Sequence, residues 1–165
     1  MIDIELLSAT QAQPLLAALC DVLQGCVADG ASVGFIDADD RAAIERFWQD
    51  KIYSLASGDN QLLVAYQQGV IVATVMVGFS AMPNGRHRAE ISKLLVHPRA
   101  RRQGIARRLM QQAEQLAAQQ GKPCWCWIRA AATWQRISIC RWIGRLLVQF
   151  RCMPSQPKVC WMRLR

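Results

Sequence analysis

Residues Glu90 to Met110 read EISKLLVHPRARRQGIARRLM, and this stretch decides the fold. Ala89 to Val96 is apolar enough for a buried strand, and His97-Pro98 ends it. Ala100 to Gln120 then carries Ile105, Leu109, Ala113, Leu116 and Ala117 on one helical stripe, stopped by Gly121. Between strand and helix lies R-x-x-G-x-A, at Arg101, Gly104 and Ala106. A helix start presents backbone amides with no acceptor inside the helix, together with the positive end of the dipole, and both favour phosphate. Gly104 has no side chain and Ala106 only a methyl, so a pyrophosphate can come close to the main chain. Arg101, Arg102, Arg107 and Arg108 surround it with positive charge. An arginine-rich helix start alone is often only solvated surface. The strand before it and the amphipathic helix after it tip the reading towards a binding site.

Toward the N-terminus, Ile2 to Leu7 alternates as a first strand, with Ser8 or Thr10 available to cap the next helix. Gln11 to Val27 has helical periodicity, with Pro14 in the first turn, where a missing amide costs least. A glycine-flanked loop, Asp29 to Phe35, leads to a second helix from about Asp39 to Ala56, with acid at its positive end. Gln61 to Gln67 and Val70 to Phe79 read as an antiparallel hairpin across Gln67-Gln68-Gly69, and Met82-Pro83-Asn84-Gly85 is a further turn. The order strand, two helices, three strands, helix defines a mixed α/β chain of the α+β kind. Its central sheet is mostly antiparallel and flanked by helices.

The formal net charge of +8 over 165 residues suggests a nucleic acid or an anionic membrane, until its position is considered. Met1 to Gly121 holds all 12 acidic residues against eleven basic ones, whereas Lys122 to Arg165 holds nine basic residues and no acid. The same tail has five of the six Trp and five of the seven Cys. The basic balance belongs to one segment. The division expected is a domain over 1–121 and an anomalous tail over 122–165. An odd cysteine count and no secretory signal argue against a disulfide framework. The longest apolar stretch, Val70 to Met82, is interrupted and falls short of the ~18 residues of a membrane span. The expected location is the cytoplasm.

The strand, V-x-P, R-x-x-G-x-A and helix resemble the acetyl-CoA site of the GNAT superfamily of N-acetyltransferases, and the order of elements matches across Met1 to Gly121. The resemblance implies acetyl-CoA as co-substrate. The main chain of Leu94, Leu95 and Val96 would meet the pantetheine arm, and Arg101, Arg102, Gln103, Gly104, Ile105, Ala106 and Arg107 would surround the pyrophosphate. RAEISKLLVHP, with GASVGF upstream, is similar to the bacterial group that includes the tabtoxin-resistance acetyltransferase. That implies a small-molecule amine as acceptor, with Ser32, Phe35 and Trp48 as a substrate wall; for Phe35 and Trp48, ordinary packing is the competing reading. Direct attack of the amine on the thioester needs a base, and Glu90 is the one carboxylate on the central strand. Strand alternation would set Glu90 on one face with Ser92, Leu94 and Val96. A strand-end pairing with Arg86 or Arg88 competes with that role. His87 and His97 read as surface histidines, and Cys20 and Cys26 as packing residues. No metal is expected, nor a nucleic-acid or membrane partner; a homodimer is an allowed assembly.

The superfamily follows this helix with an apolar strand and then a helix bearing a tyrosine, and GKPCWCWIRAAATWQRISICRWIGRLL fits neither. A base lost near Lys122 explains this. Each original codon would then be the third base of one present codon and the first two of the next. Pro123 to Ile128 becomes (Thr or Ala)-(Leu, Met or Val)-Leu-Val-Leu-Asp, the last four without codon choice. Ser138-Ile139-Cys140 allows Leu-Tyr-Leu, which puts a tyrosine at the place of Ile139. The expected consequence is an exposed sheet edge, poor acetyl-CoA binding and weak catalysis. Three other readings compete. The tail from Arg136 to Phe150 taken at face value is an interfacial or nucleic-acid-binding helix. Cys124 and Cys126 would be metal ligands, for which C-x-C alone is a poor signature. The third is a non-catalytic acyl-CoA-binding protein.

Overall fold

The computed structural model describes residues 1–31, 33–79, 88–121, 124–127 and 149–152. One sheet runs in the order β1 (Ile2–Leu7), β2 (Asn60–Gln67), β3 (Val70–Phe79), β4 (Arg88–Val96), β5 (Cys124–Trp127) and β6 (Gln149–Cys152). The first four strands are antiparallel neighbours, β5 lies parallel to β4, and β6 returns antiparallel to β5. The β2–β3 turn has Gln68 at φ 53° and Gly69 at φ 77°. Two left-handed residues in a row give a tight connection whose twist suits a hairpin.

Two cores cover the two faces. On one, α2 (Leu16–Ala28) and α3 (Arg41–Leu55) bury Leu19, Leu23, Ile44 and Trp48 against Leu62, Met76 and Leu95. On the other, α4 (Ile105–Gln119) buries Ile105, Leu109 and Ala113 against Val75, Val77 and Ile91. The helix expected over Gln11 to Val27 is divided. Ser8 caps a short α1 (Ala9–Ala12) in a reciprocal capping box with Gln11, Pro14 sits in a 3-10 turn over Gln13–Leu15, and α2 continues from it. Asp40 caps α3, accepting from the Ala43 amide at 3.0 Å, so Asp39 and Asp40 lie outside the helix and not in its first turn. The last long helix starts at Ile105, not at Ala100. Pro98–Ala100 closes a 3-10 turn, and Arg102 and Gly104 take left-handed conformations that no helix continues through.

Alternation along β4 is broken. Met76 pairs with Ser92 and Thr74 with Leu95, so Lys93 and Leu94 together oppose Val75, and Lys93 is at φ 49°. This is a β-bulge. It moves Leu94 and Val96 to the α4 face with Ala89 and Ile91, and leaves Glu90 and Ser92 on the α2–α3 side with Leu95. The face expected for Glu90, Ser92, Leu94 and Val96 together is corrected accordingly. The bulge displaces the Lys93 carbonyl from the ladder, and the Thr74 hydroxyl donates to it at 3.0 Å. Thr74 is the fully buried polar residue of the described core.

The segment after Gly121 is also corrected. Cys124–Trp127 pairs with Arg88–Ile91, so a strand does stand beside β4 there and the edge is covered over that length. Trp and Cys are tolerated in a strand because the ladder uses only the main chain. Among the described residues no helix is long and apolar enough to cross a membrane.

Thr74→Val keeps the shape and removes the donor, leaving a buried carbonyl unpaired. Urea unfolding should show a loss of about 1–3 kcal/mol, whereas Thr74→Ser should stay near the parent.

Candidate functional site

The entry to α4 lacks the polar side chain that opens the other helical runs. Ser8 caps the run that leads through α1 into α2, and Asp40 caps α3 through its carboxylate. Helix α4 begins at Gly104, which has no side chain and stands at φ 78°. Arg102, Gln103 and Gly104 are exposed, and a Cβ built on Gly104 would meet nothing within 4 Å. Helix-start amides with no capping oxygen, facing open space, are a fit for an anion. The four arginines are not equivalent. Arg102 and Arg107 are exposed on this surface. Arg101 turns inward instead: its Nε donates to the Val96 carbonyl at 3.2 Å and its guanidinium pairs with Asp29 at the end of α2. These two contacts brace the turn against β4 and the end of α2. Arg108 donates to the Ile2 carbonyl at 2.9 Å, and Gln103 accepts from Gln67 at 2.8 Å, tying the turn to the β2–β3 hairpin.

Beside the helix start, β4 and β5 pair only from Arg88–Cys124 to Ile91–Trp127. From 92 to 96, the stretch that holds Leu94, Leu95 and Val96, β4 pairs with no strand on that side among the described residues. The side chains of these three point away into the two cores. The Val96 carbonyl takes Arg101 and, at 3.4 Å, the Cys26 thiol, whose pKa burial raises. His97 caps the 3-10 turn, its Nδ1 accepting from the Arg99 amide at 3.3 Å, and burial followed by Arg99 and Arg101 lowers its pKa. Ile105 is buried under α4, and Ala106 is partly exposed at its start.

On the α2–α3 side, Glu90 is exposed and lies between Gly78 on β3 and Cys126 on β5. Gly78 contributes no side chain, which leaves Glu90 accessible. Of the expected substrate wall, Phe35 is partly exposed and packs edge-on to Phe47 at 5.5 Å. Trp48 is fully buried and packs edge-on to Phe47 at 5.4 Å. Ser32, Arg86, His87 and Ile139 lie outside the described residues, as does the Arg88 side chain. Phe47 and Lys93 were missed by sequence reasoning. The signal available was S-K-L-L at Ser92 to Leu95, two polar residues and then two apolar ones, which no regular strand alternation produces.

A model of the acetyltransferase (GNAT) family matches residues 18–137. The chain belongs to that family. The match spans α2 to α4 and continues past Gly121 into the basic tail. Solved structures of similar fold include a PaiA N-acetyltransferase from Thermoplasma acidophilum in complex with coenzyme A. It is 18% identical, with TM-score 0.66 over 87% of this chain and 89% of that one. A predicted acetyltransferase from Clostridium acetobutylicum with acetyl-CoA is 16% identical, with TM-score 0.62 over 100% and 96%. The ribosomal-protein-alanine N-acetyltransferase of Brucella melitensis is 20% identical, with TM-score 0.65 over 86% and 83%. The acetyltransferase thus shares its layered sheet with enzymes that differ from it at about four residues in five.

Arg101→Leu should lower the stability of the acetyltransferase by about 1–2 kcal/mol in urea, by unpairing Asp29 and Val96. Arg102→Ala should leave stability within about 0.5 kcal/mol, as an exposed substitution.

Proposed function

We propose that this chain transfers an acetyl group from acetyl-CoA to a primary amine of a small molecule, both bound at once. The observation that carries the reading is the exposed helix start at Gly104, which has no side-chain cap and follows the end of β4. The main-chain groups around Gly104, with Arg102 and Arg107, would hold the pyrophosphate, and the edge from Leu94 to Val96 would hold the pantetheine arm. Bound there, the thioester supplies an activated acetyl carbon. Glu90, exposed on the α2–α3 side, accepts the proton of the acceptor amine, directly or through one water, so that a neutral amine attacks. Phe35, backed by Phe47, forms one wall of the acceptor site. The small-molecule acceptor follows the likeness of RAEISKLLVHP and GASVGF to the tabtoxin-resistance group.

The segment after Gly121 is read as out of frame. Its support is the charge partition, the crowding of Trp and Cys, and the forced Leu-Val-Leu-Asp of the other frame. That forced run overlaps the stretch that pairs as β5. Activity of the chain as written is then reduced. A chain rebuilt in the other frame after Gly121 should bind acetyl-CoA at least about tenfold more tightly by calorimetry. Resequencing the codons for Gly121 to Cys124 should recover one extra base.

Two substitutions test the site in either chain. Gly104→Val should weaken acetyl-CoA binding by about tenfold or more, through a side chain in the anion's approach and strain at positive φ. Glu90→Gln should lower kcat/KM by about a hundredfold or more at neutral pH while acetyl-CoA affinity stays within about twofold. Full activity in Glu90→Gln would remove the base assignment, and unaltered binding in Gly104→Val would remove the cofactor site.

A further inference from the structure

Acetyl transfer at Glu90 and Gly104 leaves one charged group unused. Lys93, the extra residue of the β4 bulge, is half-buried, and its side chain runs to the α2–α3 side, the side that Glu90 and Ser92 also face. Its Nζ donates to the Val33 carbonyl at 2.6 Å and stands 4.6 Å from the centre of the Phe47 ring and 5.8 Å from that of Phe35. Lys51, one turn beyond Phe47 on α3, brings a second ammonium to 5.6 Å from the same ring. Burial, and then the charge on Lys51, lower the pKa of Lys93.

Two cations flank one aromatic ring, and neither has a carboxylate side chain as partner. All 12 acidic side chains of the protein lie among the described residues, and ion pairs such as Arg41 with Asp21 and Arg101 with Asp29 do not involve these lysines. A Cβ at Gly34 would stand 3.7 Å from Nζ, so the glycine sets no side chain against the Lys93 ammonium. A half-buried ammonium has three donors, and one carbonyl uses one of them. Ring faces relieve part of the charge, but the repulsion between the two lysines remains until an anion arrives.

We propose that Lys93, assisted by Lys51, binds a carboxylate on the acceptor, so that the acceptors are small amines that also carry a carboxylate. The inference rests on the acetyl-transfer reading, and it places the acceptor's anion between the loop at 33–35 and Phe47. Its amine is then directed along β4 towards Glu90. Lys93 is a specificity residue in this scheme and takes no part in moving protons.

The full-length protein is tested with matched acceptors, each an amino acid and its carboxamide, by mass-spectrometric detection of the acetylated product. Binding of the same pairs to the coenzyme A complex is followed by ligand-observed NMR. The parent should prefer the carboxylate member by at least about tenfold in kcat/KM, carried in KM. Lys93→Met should reduce that preference to within about twofold, Lys93→Arg should retain most of it, and Lys51→Met, a change on the helix surface, should lose part. Acetyl-CoA affinity should be the same in all four proteins. No preference in the parent, or a preference that survives Lys93→Met, overturns the proposal. So does an equal fall in kcat for both members with an altered pH profile, because Lys93 would then act on the transferred proton. Failure of acetyl-CoA to bind both the parent and the chain rebuilt in the other frame after Gly121 defeats the transfer reading instead, and the NMR arm, run without coenzyme, still decides whether Lys93 holds the carboxylate.

Discussion

Everything at the centre of this molecule depends on one extra residue in β4. An antiparallel ladder can absorb an insertion only by leaving a residue unpaired and turning the strand beyond it. Here Lys93 is that residue. Its carbonyl is recovered by a buried threonine on the neighbouring strand, and its side chain leaves the sheet towards α3. The bulge has two consequences. The apolar residues after it exchange faces, so Leu94 joins the α4 core and Leu95 the other. A long polar side chain also emerges at mid-sheet without leaving an uncompensated backbone group behind it.

The helix start at the far end of β4 uses a different constraint. Helices α1 and α3 are closed by Ser8 and Asp40, whose oxygens satisfy amides that would otherwise face water. At Gly104 no such oxygen exists, and the backbone reaches the helix through left-handed residues at Arg102 and Gly104. This arrangement costs local stability, and the surrounding contacts offset it. Arg101 is anchored to Asp29 and the end of β4, Gln103 to Gln67, and Arg108 to the start of β1. Positive charge in the sequence is therefore divided between arginines that shape the turn and arginines that stay exposed on it.

Strand β5 shows how little of a sheet edge depends on side-chain chemistry. Cys124–Trp127 pairs with β4 although its residues come from a segment with no acid and a concentration of tryptophan. Main-chain groups complete the ladder with any residue that has an amide to offer. Among the described residues this pairing runs from Arg88 to Ile91, ahead of the bulge at Lys93.

Much of this was legible in residues alone. The strand, proline, glycine and helix of 89–120, the hairpin around Gly69 and the order of the first seven elements all come from local periodicity and turn chemistry. These are short-range properties, carried by neighbours in the chain. What tertiary structure alone decided were the choices made across the sheet. The bulge at Lys93 is a mismatch of length between β3 and β4; S-K-L-L breaks the alternation in the sequence, but the pairing of the two strands fixes which residue is extra. Arg101 became a brace because folding brings Asp29 to it, Trp48 went inside because α3 packs that way, and Lys93 met Phe47 across 46 positions of sequence. No local pattern encodes such meetings, because each depends on distances that exist only once the layers have closed.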